Sequence, residues 1–281
     1  MSVIARLQCA LVILLATGLP ARAAVTVIGG LTHERVVEPG KTYTGAIVVR
    51  NLGKTPEDVK IYLTDYRFTS DGKVFYDEPA GNGPRSSGKW VTLNRSILSI
   101  PPGESTNVSY SVAVPNDGSL KGTYWCVVMV EGMGPSVAPN APTEKGKVGM
   151  GIRQVFRHAI QVVSHVGNSG ERKMKMDARL AREGQKRLLQ IDVVNTGERW
   201  LRPRLSAQLF GAEGQAAGKF EAGGVRVYPG TSARRSVDIS AVAPGMYRAL
   251  VVADAGDDDV YGVTYTLTLE GEKKEQVKGG Q

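Results

Sequence analysis

Apolar and polar residues alternate with a period of two through most of this chain. Thr42–Arg50 shows the pattern cleanly, with Tyr43, Gly45, Ile47 and Val49 on one face and polar or small residues on the other. Similar strand signals fall at Val25–Ile28, Val36–Val37, Val59–Phe68, Trp90–Leu93, Ile97–Ile100, Thr106–Val114 and Thr123–Val130. They return at Lys173–Ala181, Arg187–Val194, Arg204–Phe210, Gly224–Tyr228, Ser232–Ile239, Tyr247–Asp254 and Gly262–Leu269. Turn chemistry separates them. Ser70-Asp71-Gly72-Lys73 reads as a hairpin, because Asp-Gly accepts the positive φ of a tight turn. No segment carries a sustained helical period, so the pattern predicts an all-β protein.

The pattern also repeats. Ala46–Gly53 ends an apolar alternation in Asn51-Leu-Gly53, and Gln190–Gly197 ends one in Asn195-Thr-Gly197. Each is followed by Pro-Gly and hydroxyl residues, Pro102-Gly103-Glu104-Ser105 and Pro229-Gly230-Thr231-Ser232. Each then has a proline and a Gly-x-Tyr leading into valines: Pro115, Gly122, Tyr124 and Val127, then Pro244, Gly245, Tyr247 and Val251. One strand–turn–strand order met twice predicts two tandem β-sandwich domains.

Residues 1–23 read as an export signal: Arg6 supplies the positive start, Ala10–Leu15 the apolar core and Ala21-Arg22-Ala23 the cleavage site. The apolar run is shorter than the roughly 20 residues a bilayer span needs, and no later stretch reads as a membrane helix. The expected mature product is periplasmic, with domains at 24–164 and 165–270 and a disordered Lys/Glu/Gly-rich tail at 271–281. Losing Arg6 and Arg22 lowers the formal charge from +8 to +6. Cys126 is then the one remaining cysteine, so no internal disulfide can form and an inert buried thiol is expected.

The first domain's last strand is unusual. Val148-Gly-Met150-Gly-Ile152 alternates apolar side chains with glycine after a Gly/Pro-rich loop, and the apolar character continues to Val163. Glycine in a strand fits a flexible entry, or an exposed edge that lends alternate side chains to a partner. Pairing on both sides would exclude strand donation; an open edge would favour it. Ser164–Gly170 reads as the hinge.

Candidate chemistry is sparse. His33, His158 and His165 have no metal-ligand spacing, and Asp254–Asp259 lacks the alternating oxygens and closing Glu of a calcium loop. Ser86-Ser-Gly-Lys89 matches Ser-x-x-Lys but lies in a loop rather than at a helix start. Gly146–Gly151 has no strand-to-helix transition around it to cradle a phosphate. These features predict no catalytic residues, metal or cofactor, and an exported chain has no nucleic acid to meet. Arg199, Arg202 and Arg204 beside Trp200, with Arg226, Arg234, Arg235 and Arg248, form a basic cluster. It fits ordinary surface charge, a contact patch for the other domain, or anionic envelope glycan and lipid headgroups.

Glu34-Arg35-Val36-Val37-x-x-Gly40, with the alternating strand that follows to Asn51, resembles the opening of the PapD-like periplasmic pilus-assembly chaperones. Arg95–Gly103 resembles that family's approach to a Pro-Gly turn, and the loop before Val148 falls where the family has its variable loop and donor strand. The family's aromatic-Arg-Pro signature is replaced by Gln161-Val162-Val163-Ser164, and no cysteine pair staples the loop. The resemblance implies tandem immunoglobulin-like β-sandwiches and a chaperone for secreted fibre or pilus subunits that cooperates with outer-membrane assembly machinery. It implies donation of Val148, Met150 and Ile152 from Lys147–Val163. It also implies capture of a partner's terminal carboxylate by Arg35 and Arg157, with Arg153 the alternative to Arg157; a guanidinium presents the planar fork this needs. The competing expectation is a structural or adhesive envelope protein that binds envelope components.

Overall fold

The computed structural model describes residues 25–133, 155–256 and 259–271. They build two tandem immunoglobulin-like β-sandwiches, with no α-helix among the described residues.

The first domain contains β1 (Val25–Ile28), β2 (Thr32–Val37), β3 (Thr42–Asn51), β4 (Glu57–Phe68), β5 (Val74–Asp77), β6 (Val91–Leu93), β7 (Ile97–Ile100), β8 (Ser105–Ala113), β9 (Gly122–Gly132) and β10 (Arg157–Val166). One sheet runs β1-β3-β8-β6 and the other β2-β10-β9-β4-β5, with β7 also on β4. The chain changes sheets at Gly29-Gly30, where Gly29 takes a φ of +105° that an L side chain resists. Ile47, Val49, Ile61, Ile100, Val128, Ile160 and Val162 fill the space between the sheets. This burial is the main stabilising contribution, since no disulfide assists it.

The second domain contains β11 (Met174–Glu183), β12 (Lys186–Asn195), β13 (Arg204–Phe210), β14 (Ala216–Gly224), β15 (Ser232–Asp238), β16 (Gly245–Asp254) and β17 (Val260–Leu269). Its sheets run β11-β12-β15 and β14-β13-β16-β17. Leu189, Ile191, Val193, Leu205, Leu209 and Val251 face one another across its core.

The sequence repeat has a physical cause. Buried Asn51 donates to Thr55 O at 2.7 Å and Ile100 O at 2.9 Å, and its Oδ1 accepts the Gly53 amide at 2.7 Å. Buried Asn195 donates to Arg199 O at 2.7 Å and Val227 O at 3.1 Å, and accepts the Gly197 amide at 2.9 Å. The amides of Gly103 and Gly230 return to the carbonyls of Asn51 and Asn195, each glycine at a φ of +75°. In both domains one asparagine satisfies a strand end and pins the Pro-Gly turn beside it.

Several elements differ from the sequence reading. β2 begins at Thr32 rather than Val36. β10 runs on to Val166, so Ser164, His165 and Val166 belong to a strand and the turn occupies only Gly167–Gly170. β14 carries no clear strand signal, because Gly218 and Gly223 sit at positive φ and its pairing with β13 is broken by two register shifts. Conversely, Val225–Tyr228 forms only an isolated bridge, Leu201 to Val227; Val225 and Val227 enter the second domain's core, while Arg226 and Tyr228 meet the first domain.

Candidate functional site

Two features of the β2–β10–β9 sheet bear on binding: the face it turns to the second domain, and the place where its edge opens.

Register decides what each face presents. In β10, Ile160 and Val162 enter the core, so Gln161, Val163 and His165 point the other way. There Trp125 stacks on Tyr228, with ring centroids 4.7 Å apart, and Val163 packs beside them. The Tyr228 hydroxyl donates to Gln161 Oε1 at 2.5 Å. Trp200 stacks on His165 at 5.6 Å, and its amide donates to Thr123 Oγ1 at 3.1 Å. Glu34 pairs with Arg226, whose guanidinium lies 4.6 Å from the Trp200 ring centre. Arg85 bonds Glu198 at 3.2 Å, and the Glu198 carbonyl accepts the Thr123 amide at 2.9 Å.

The approach is close enough to dictate glycine. Gly122 takes a φ of +74°, and a Cβ there would lie 2.1 Å from the Glu198 carbonyl oxygen. The glycine of the first Gly-x-Tyr motif is therefore what lets the domains touch.

Beside the Trp125–Tyr228 stack lies a cavity of about 410 Å³ walled by Tyr66, Arg67, Arg85, Trp125, Pro229 and Thr231. Asp65, at its base, accepts the amides of Gly81, Asn82 and Gly83 at 2.8–2.9 Å and the Ser86 hydroxyl. Burial works against its charged form, but these four donors outweigh it and hold the carboxyl below its ordinary range. Ser86, read from sequence within Ser-x-x-Lys, is thus a loop anchor.

The edge opens farther along β10. β2 pairs with β10 in parallel only from Gln161 to Val166. Arg157–Ile160 pair with β9 alone among the described residues. The Gln161 amide donates to Leu31 O, so the backbone groups of Ala159 and Arg157, two and four residues earlier, face the same side with no strand beyond them among the described residues. Exposed Leu31, Met133 and Val155 lie around this opening.

This geometry rearranges the expected site. Gln161–Val163 are held between β2 and β9, so the donated segment cannot extend to Val163 as expected. Val148, Met150, Ile152 and Arg153 lie outside the described residues. Arg35 aligns with Ser164, which faces the sandwich interior, and it stacks over Tyr43 at 5.5 Å. Arg157 lies seven residues back along β10, about 23 Å at the usual strand rise, and on the opposite face, where it pairs with Glu131 at 2.8 Å. The two arginines do not come together, and Arg35 does not face the junction.

The residue missed at the junction is Glu34, one position from Arg35. Buried Val37 marks the inward face of β2 and fixes that parity, placing Arg35 inward and Glu34 outward. Of the basic cluster, Arg226 and Trp200 form the contact patch for the other domain, while Arg234 pairs with Asp192 at 2.6 Å. Asp259 pairs with Arg172 and Asp254 accepts its own turn's Gly256 amide, as turn residues do. Among the described residues no group of three or more His, Cys, Asp or Glu is placed to hold a metal.

No protein-family model matches the chain, and no curated protein matches it in sequence. Among solved structures it is similar to a chain from the chaperone–tip adhesin complex of CFA/I fimbriae biogenesis, at 12% identity and TM-score 0.45, covering 88% of this chain and 100% of that one. It is also similar to the class 5 fimbriae chaperone CfaA, at 12% identity and TM-score 0.41, covering 86% and 98%. A third is the CsuC–CsuE chaperone–tip adhesion subunit complex from archaic chaperone-usher Csu pili of Acinetobacter baumannii, at 13% identity and TM-score 0.42, covering 86% and 98%.

Proposed function

We propose that this chain is an exported, periplasmic chaperone that holds secreted fibre or pilus subunits by strand addition, without catalysis. The observation that supports this reading is the open edge of β10 at Arg157–Ile160, where β2 stops short. A subunit lacking one strand exposes an apolar groove and unpaired backbone groups. A strand entering β10 supplies both hydrogen bonds and alternate side chains, with Val148, Met150 and Ile152 as the donated residues. Arg157, at the mouth of the edge, is the basic residue nearest an incoming strand, and it would exchange Glu131 for a partner's carboxylate. Arg35, on the other face, has no part in it.

The adhesive reading finds less support. Arg226 and Arg234 are engaged by Glu34 and Asp192, and Arg235 donates to Gly224 O. Those guanidiniums already have partners within the chain.

The test is to tag the chain, express it in its native host and identify what copurifies from the soluble envelope fraction. Ala159→Pro removes an amide from the open side of β10, where no internal ladder uses it. The expected result is a one-to-one complex with a small β-rich subunit, lost in Ala159→Pro while the melting temperature holds. A complex that survives Ala159→Pro and Met150→Glu would sink strand addition, and recovery of glycan or envelope scaffold alone would support the adhesive module.

A further inference from the structure

His165 stands at the centre of the domain junction with a ring nitrogen that has no hydrogen-bond partner. Its side chain is 11% exposed, and buried Nε2 lies 3.6 Å from Glu34 Oε2, beyond hydrogen-bond reach. Nδ1 lies 3.0 Å from Thr123 Oγ1. That hydroxyl oxygen already accepts the Trp200 amide, which leaves its own hydrogen for Nδ1. The arrangement suits a neutral imidazole carrying its proton on Nε2. The ring also lies against Trp200, which is covered on another side by Arg226.

We propose that His165 is a proton-sensitive latch between the two domains: the neutral ring clamps the Trp200 segment onto β10 and β9, and protonation releases it.

The charges around the ring explain the direction. Glu34 on β2 is the carboxylate facing it, and Glu34 is shared with Arg226. Arg199 and Arg226, both from the second domain, also bear on the ring, while β9 offers only the neutral Thr123. A proton on Nδ1 would also displace the hydrogen that Thr123 supplies. Burial is the largest influence and pushes the imidazole pKa down; Glu34 pulls it back up, and the two arginines lower it again. The folded junction therefore binds the proton less readily than an opened one. Its contribution is complete above the ordinary histidine value of about 6.5 and is lost as pH falls below that, through the lowered folded value.

This inference does not rest on the strand-addition reading, because it concerns the free chain. Amide exchange at pH 7.5, 6.5 and 5.5, corrected for intrinsic rates, reads it directly. The segment bearing Trp200 should lose protection several-fold, up to about tenfold, by pH 5.5, and His165→Gln should hold its protection across the range. Glutamine keeps an acceptor for Thr123 and a donor for Glu34. His33→Gln and His158→Gln should behave as the parent does. If His165→Gln fails to fold, a ring NMR titration of the parent decides: His165 must titrate below 6.5, and the loss of protection must level off once the ring is charged. Loss of protection that persists in His165→Gln overturns the latch. So does unchanged protection at a pH where the NMR signal shows the ring charged.

Discussion

Replacing Asn51 by alanine should destabilise the first domain by about 3 kcal/mol, taking roughly 1 kcal/mol for each of three hydrogen bonds lost at a buried position. Asn195→Ala should cost the second domain less, about 2 kcal/mol, because two partners keep other bonds. The Gly197 amide still donates to Lys173 O, and Val227 O still accepts the Leu201 amide. For domains of this size these losses correspond to melting shifts of about 10–15 °C and about 6–10 °C. Calorimetry and urea unfolding followed by circular dichroism would measure both, each variant moving mainly its own domain's transition.

Asn51→Asp sharpens the test. It keeps an oxygen for the Gly53 amide but turns a second oxygen toward the carbonyls of Thr55 and Ile100. Two acceptors would then face an acceptor, so aspartate should be worse than alanine. An alanine cost below about 1 kcal/mol, or an aspartate variant as stable as the parent, would refute the claim that these asparagines pin the two turns.

Two further outcomes follow from buried groups. Burial pushes the Cys126 thiol up to about 12, so the native chain should resist iodoacetamide at pH 8. Labelling should follow the urea-unfolding curve, and fast labelling of folded protein would show a strand far looser than described. The Asp65 carboxyl, held low by its four donors, should anchor the 81–86 loop fully above about pH 4 and release it as pH falls further. Asp65→Asn should remove that acid dependence, as read by proteolysis or exchange of the loop; an unchanged profile would refute the anchoring role.

The alternation in Thr42–Arg50 and the doubled Asn-x-Gly made the all-β class and the two sandwiches legible, because both patterns are local and periodic. β14 was not legible: its glycines and bulges erase the period of two that a strand signal depends on. The site was harder still. Arg35 and Glu34 are adjacent, and a one-residue difference puts a side chain on the opposite face of a sheet. Val37 held the clue to that parity, but only once its burial was known. For Trp200 and Arg226 a contact patch is one of three readings the sequence leaves open, and Tyr228 reads as a strand end, because their partners lie on β2, β9 and β10, far away in sequence. No local pattern reports a contact made by docking two domains.

The same split of the first strand that stabilises domain one also creates its open edge. β1 belongs to the β3 sheet, with Val25 opposite Asn51, and the chain reaches the other sheet only after Gly29-Gly30. β2 therefore starts too late to cover β10 before Gln161. Upstream residues cannot close the gap while β1 remains paired with β3. A longer β2 would need the crossover moved, at the expense of the β1–β3 ladder and the buried Val25. The junction, by contrast, is largely engaged by the chain's own side chains: Glu34 with Arg226, Gln161 with Tyr228, and Thr123 with Trp200. A partner arriving at the junction must displace existing bonds, whereas one arriving at Arg157–Ile160 can form bonds the described sheet lacks. That difference in cost is why we propose the edge, rather than the basic junction, as the partner's site.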